Sequence, residues 1–128
     1  MIEYLLDSDT LIWQLRDQEE TVELLARLSK RGFLACSVMS IVEIQAGVRR
    51  GEEKKTNALL DSLKAYDVTP AIANLAGGFI RDYRTKGITL DFVDSLIAAT
   101  AVIHGLTLLT YNTKHYPMLK NLRPAYKK

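Results

Sequence analysis

The chain has little of several things that would announce a function on their own. It has one cysteine, Cys36 in the stretch FLACSVMS, which excludes an internal disulfide and a thiolate metal cluster. That residue reads as a small buried hydrophobe. No apolar run approaches the roughly 20 residues of a membrane span. The start, with Glu3 inside a short apolar stretch and no basic lead-in, does not read as a secretory signal. Both absences point to the cytoplasm and to no membrane partner. The formal charge is only +2, well short of a dedicated DNA-binding domain. Aromatic-rich RNA-binding motifs, linkers, repeats and low-complexity tracts are missing too.

What is present is an ordinary globular composition, 48% hydrophobic and 25% charged over 128 residues. It suits a single domain, 1–128, able to bury a core without a disulfide or structural metal. Basic residues fall in three groups: Arg49, Arg50, Lys54 and Lys55; Arg81, Arg84 and Lys86; and Lys114, Lys120, Arg123, Lys127 and Lys128. Each alone reads as a solvated helix face or tail. Around an acidic centre, together they suit a polyanion.

Hydrophobic periodicity predicts strands at 2–6, 33–38, 66–68 and 106–110, with a short edge strand near 123–126. Between them it predicts helices at 10–29 with a break near Asp17, then 41–49, 54–63, 70–85 and 91–104. Pro70 is placed to open one helix, Gly87 to stop it, and Gly105 to end the last. Alternating strands and helices argue for an α/β layer fold with a mostly parallel sheet. In such sheets the site lies beyond the carboxyl ends of the strands.

Acids are concentrated at that edge. The first strand runs into Asp7-Ser8-Asp9, Glu43 lies one turn into the helix after the second, and Asp91 and Asp94 open the last helix. Asn112 follows the last clear strand. Each acid has a plain structural reading. Ser8 or Asp9 could start the first helix, Ser40 to Glu43 matches a capping box, and Asp91 with Asp94 could cap and neutralise a helix end. Several such coincidences at one edge point instead to a hard dication, magnesium or manganese, which relieves the repulsion of clustered carboxylates and can activate water. His115, on a polar loop beside Tyr116, reads mainly as a surface residue, with metal or phosphate binding as the alternative. His104 reads as structural.

Asp7-Ser8-Asp9-Thr10-Leu11 is similar to the opening of haloacid-dehalogenase-type phosphatases, but the lysine and late acid pair of that family have no counterpart. A receiver domain would need adjacent acids and a Lys-Pro that are not present either. The whole set resembles the PIN-domain ribonucleases, and especially the VapC-type toxins of toxin–antitoxin pairs. The matching blocks are LLDSDTLI, Ser-x-x-Glu followed by IQAGV, DSLIAATA at 94–101 and LTYN at 109–112, in the family's order over nearly the full length.

The resemblance implies a three-layer sandwich with a central, mostly parallel sheet of four to five strands. It implies a magnesium- or manganese-dependent endoribonuclease whose metal is held by Asp7, Glu43 and Asp94. Asp9, Ser40, Asp91, Thr110, Asn112 and His115 are the candidates to support that set. His115 stands where the family commonly has an acid, which leaves the fourth ligand or second metal open. The family further implies an RNA substrate, a VapB-type antitoxin partner, DNA only through that antitoxin, and a homodimer. Helices with apolar residues such as Leu59, Leu60, Leu63, Ile72 and Leu75 are where to look for the dimer face, though several of these must be core. The alternative is a PIN-like RNA-binding or scaffold domain without catalysis.

Overall fold

The computed structural model of the protein describes residues 2–120. Ile2–Leu6 forms β1 at the centre of a sheet, flanked by β2, Gly32–Ser37, and β4, Thr107–Leu109, with β3, Lys64–Tyr66, outside β2. Every pairing among the described residues is parallel, in the order β3-β2-β1-β4. Parallel sheets need both faces covered, and this one has them. On one face Tyr4, Leu6 and Cys36 pack with Leu11, Leu24, Leu25, Leu28 and Ile44. These come from α1, Ser8–Leu15, α2, Glu19–Ser29, and α3, Val38–Ala46, with Leu60 of α4, Glu53–Asp61, completing the layer.

The opposite face carries Leu5, Ala35 and Leu108 against Ile97, Ala98 and Ala101 of α6, Phe92–His104. The alternation of Leu5 with Tyr4 and Leu6 is the two-residue period of a strand buried on both sides. Helix α5, Pro70–Arg84, packs on α6 through Ile72, Ala76 and Ala99. The result is the expected three-layer α/β architecture with four strands among the described residues. The edge strand predicted near 123–126 lies outside them. No helix among the described residues is long and apolar enough to cross a membrane.

Local signals explain most of the element ends. The predicted break falls at Asp17, which takes φ 56°, a conformation that ends a helix cleanly. Thr69 accepts a hydrogen bond from Ile72 N at 3.3 Å with Pro70 in the first turn, and Gly105 closes α6 at φ 65°. Gly32 sits where a Cβ would collide with the Ile2 carbonyl, so only glycine lets β2 lie beside β1 there.

Two expectations are corrected. Helix α3 starts at Val38, not 41, because Ser37 rather than Ser40 is its cap, accepting from Met39 N at 3.1 Å. The capping-box reading of Ser40 and Glu43 therefore falls. Strand β3 ends at Tyr66 instead of beginning there, and Val68 instead packs beneath α5. Of the apolar residues to inspect for a dimer face, Leu60, Leu63 and Ile72 are core, as several must be, and Leu59 and Leu75 are half-buried against it. Cys36 is fully buried, and burial pushes its thiol up to about 11.

Candidate active site

Asp7 follows β1 at the carboxyl edge of the sheet. Its backbone N–H still bonds the Leu109 carbonyl at 2.9 Å, so the ladder with β4 holds the residue in place. Its side chain is the cap of α1: Oδ1 accepts from Ser8 N at 2.7 Å. Sequence reasoning gave the helix start to Ser8 or Asp9, so the cap moves one residue earlier. Oδ2 of Asp7 accepts from the Thr110 hydroxyl at 2.8 Å. Thr110 is fully buried just past β4, and its Oγ1 also lies 3.3 Å from Asp9 Oδ2. Asp9 in turn accepts from Tyr111 N at 3.0 Å, so it ties the loop after β4 to the first turn of α1.

Asp94 enters from the other side of the sheet. Asp91 is the cap of α6, its Oδ1 accepting from Asp94 N at 3.0 Å, which leaves the Asp94 carboxylate free of capping. The buried Ser95 and Ala98 lie on the same helix face and leave room beside it. Tyr116 lies beneath the two acids. It is 1% exposed, its hydroxyl donates to Asp94 Oδ1 at 3.3 Å, and its proximity pulls the Asp7 carboxyl down. Sequence reasoning passed over Tyr116, which it met only as the neighbour of His115. His115 Nδ1 stands 3.4 Å from Asp94 Oδ2 on an exposed 3-10 helix, Thr113–His115, so this surface histidine faces the acid pair.

Glu43 is less closely drawn in. It is exposed on α3 and accepts from Ser8 Oγ at 2.6 Å, while Ser8 Oγ lies 3.0 Å from the fully buried Ser40. Ser8 thus serves Asp7 through its N–H and Glu43 through its hydroxyl. Asn112 is exposed, and its N–H donates to Thr110 Oγ1 at 3.1 Å. His104 is exposed at the far end of α6, its ring 4.4 Å from that of Tyr66.

The electrostatics follow from this crowding. Asp94 is pushed up to about 6, first by burial, then by the charges of Asp7 and Asp91, with His115 and Tyr116 pulling the other way. Asp7 is also raised, by burial and then by Asp9, against the hydrogen bonds of Tyr116, Thr110 and Ser8 N. Among the described residues His115 is the one positively chargeable side chain paired with either acid. A buried and a half-buried carboxylate, both raised, with no lysine or arginine between them, are the donor set a hard dication relieves. As the side chains stand, no three His, Cys, Asp or Glu groups among the described residues converge closely enough to hold one. Asp7 and Asp94 fit as a pair, and Glu43 stands one serine hydroxyl away from completing a triad.

An all-parallel, helix-covered sheet with acids gathered at its carboxyl edge is the frame of a PIN domain, and residues 4–118 match the PIN domain family. The chain belongs to that family, in its VapC-type branch. It is 38% identical over 122 residues to Ribonuclease VapC10 of Mycobacterium tuberculosis strain H37Rv, covering 95% of this chain and 92% of that protein. Ribonuclease VapC19 of the same strain is 37% identical over 123 residues, covering 95% and 98%. The crystal structure of VapBC2 from Rickettsia felis, bound to a DNA fragment from their promoter, aligns with a TM-score of 0.83 at 24% identity, covering 94% and 96%. A toxin–antitoxin complex from Klebsiella pneumoniae aligns at 0.80 and 23%, covering 98% and 99%. These two likenesses concern the fold. The phosphatase resemblance is thereby confined to a few residues, and Asp9, which it needs as acid and base, is bound to the loop after β4.

Proposed function

We propose that the protein is a magnesium- or manganese-dependent endoribonuclease acting as the toxin of a toxin–antitoxin pair. The observation that carries this reading is the Asp7–Asp94 pair at the sheet edge, the first buried and the second half-buried, with both carboxylates raised and held by donors that fix their positions. Asp7 and Asp94 would hold the cation, with Glu43 swinging from its serine to join them. When bound, the cation supplies charge to a backbone phosphate and lowers the pKa of a water for attack.

The chain's own groups do the rest. Thr110 and Ser8 N keep the Asp7 oxygens in place, Asp9 keeps the Thr110 loop against α1, and the N-terminal ends of α1 and α6 add positive potential where phosphate charge develops. Lys114, exposed beside His115, is suited to a neighbouring phosphate of the RNA.

The partner reading is supported by a groove of about 200 Å³ between α1, α3 and the segment leading into α4. Ile12, Leu15, Ile44 and Val48 line it, with Arg16 at its side and Glu43 among its walls. An antitoxin tail with apolar residues and a basic group would fill the groove and reach the acid that the site needs. The homodimer implied by the family belongs to the same proposal. That both relatives are named ribonucleases, and that the aligned structures are VapBC and toxin–antitoxin complexes, favours this assignment.

Expression of the chain alone is expected to arrest growth, and co-expression with a small DNA-binding neighbour encoded upstream is expected to restore it, with the two proteins co-purifying and RNA cleavage lost in the complex. Harmless expression of a folded chain that still cuts RNA would reduce the assignment to a general nuclease. A folded chain that binds RNA without cutting it would favour the scaffold reading.

A further inference from the structure

Tyr116 has a hydroxyl that packing does not require. Its ring is locked into the core on the α6 side of the sheet, with Leu5, Ala35, Ile97 and Ala98 in the same cluster. Phenylalanine would fill that space equally well. A buried hydroxyl without a partner is costly, and this one donates to Asp94 on α6 at 3.3 Å, with the Asp7 carboxylate after β1 as its other charged neighbour.

Asp7 and Asp94 repel each other, and their elements lie on opposite sides of the sheet edge. A phenolic proton given to Asp94 beside Asp7 counters that repulsion. It does so from a ring held in place by the close-packed core around it. A carboxylate has about four lone-pair sites, so Asp94, accepting this bond from beneath, keeps others for a cation.

We propose that Tyr116 is a positioning residue: its hydroxyl holds the Asp94 carboxylate from the core side and so sets its place beside Asp7 for a divalent cation. The proposal rests on Asp7 and Asp94 being the cation's ligands. Partners of this kind, one bond removed from the metal, typically change affinity by about 10–100-fold when lost.

The same segment supplies a control. Tyr83 on α5 donates its hydroxyl to the Pro117 carbonyl at 2.8 Å, one residue past Tyr116 and away from the acids. Tyr83→Phe loosens the backbone that carries Tyr116 without touching the carboxylates. Free Mn2+ is followed by electron paramagnetic resonance during titration of the parent, Tyr116→Phe, Tyr83→Phe and the double variant Asp7→Asn/Asp94→Asn, with thermal melts confirming that each is folded. Tyr116→Phe is expected to bind Mn2+ ten- to a hundredfold more weakly than the parent, with Tyr83→Phe within about threefold of it. Equal affinity in Tyr116→Phe and parent, or an equal loss in Tyr83→Phe, overturns the positioning role alone. A parent that binds Mn2+ no better than the double variant overturns the ligand reading beneath it.

Discussion

Asp7→Asn, Asp94→Asn and Glu43→Gln are each expected to lower RNA cleavage by on the order of a thousandfold while the chain stays folded. Removing one electrostatic stabiliser of a transition state commonly costs 10²–10³ in rate, and losing a ligand weakens such stabilisation at its source. The folded state should survive for reasons particular to each position. Asparagine caps a helix about as well as aspartate, so Asp7→Asn keeps the bond from Ser8 N that starts α1. Asp94 caps nothing, because Asp91 does that work for α6. Glu43 is exposed, and glutamine still accepts from Ser8. Gel assay of a structured RNA, beside circular dichroism, measures both halves. Parent-like cutting by all three variants would refute the site, and unfolding would return these acids to structural roles.

The metal-free protein is expected to lose stability as pH rises from about 4 to about 6, and Asp94→Asn is expected to remove much of that loss. Asp94 has its folded pKa raised to about 6 by burial, Asp7 and Asp91, and Asp7 is raised by burial and Asp9. A carboxyl raised on folding binds its proton more tightly in the native state. Its contribution is therefore favourable below the unfolded value near 4 and fades as pH climbs through the folded value.

In EDTA at pH 7, Asp94→Asn should be more stable than the parent by about 1–3 kcal/mol. The two should converge near pH 4. Because Glu3 and every other titrating group is common to both proteins, the difference between their urea midpoints isolates the site. A parent that outlasts the variant at pH 7 would show that the acids are attracted to something in the protein rather than repelled by each other.

Much of this was readable from the chain because the signals were local. Pro70 and Asp91 announced helix starts and Gly105 a helix end, each by satisfying or freeing backbone groups within a few residues. Asp7 and Thr110 could be placed on one edge because parallel strands bring their carboxyl ends together. Where two local signals compete, sequence does not choose. Ser37 and Ser40 are equally good caps three residues apart, and burial of Ser40 against Ser8 decided between them.

The hydrogen bonds that organise the site are non-local and left no periodic trace. Thr110 reaches Asp7 across 103 positions, Ser8 reaches Glu43 across 35, and Tyr116 reaches Asp94 across 22. A reading of spacing found the acids. It could not find the tyrosine beneath them, since nothing in the polar loop around Tyr116 says that its ring turns into the core.

The central claim is that a divalent cation held by Asp7 and Asp94 drives RNA cleavage. Its most direct test is the cutting of one structured RNA by purified, EDTA-treated protein before and after addition of Mg2+ or Mn2+, with Asp94→Asn carried in parallel. The account predicts no cleavage in EDTA, recovery in the parent with either ion, and none in Asp94→Asn. Cleavage by the parent that persists undiminished in EDTA, or that Asp94→Asn matches on addition of the ions, would contradict it.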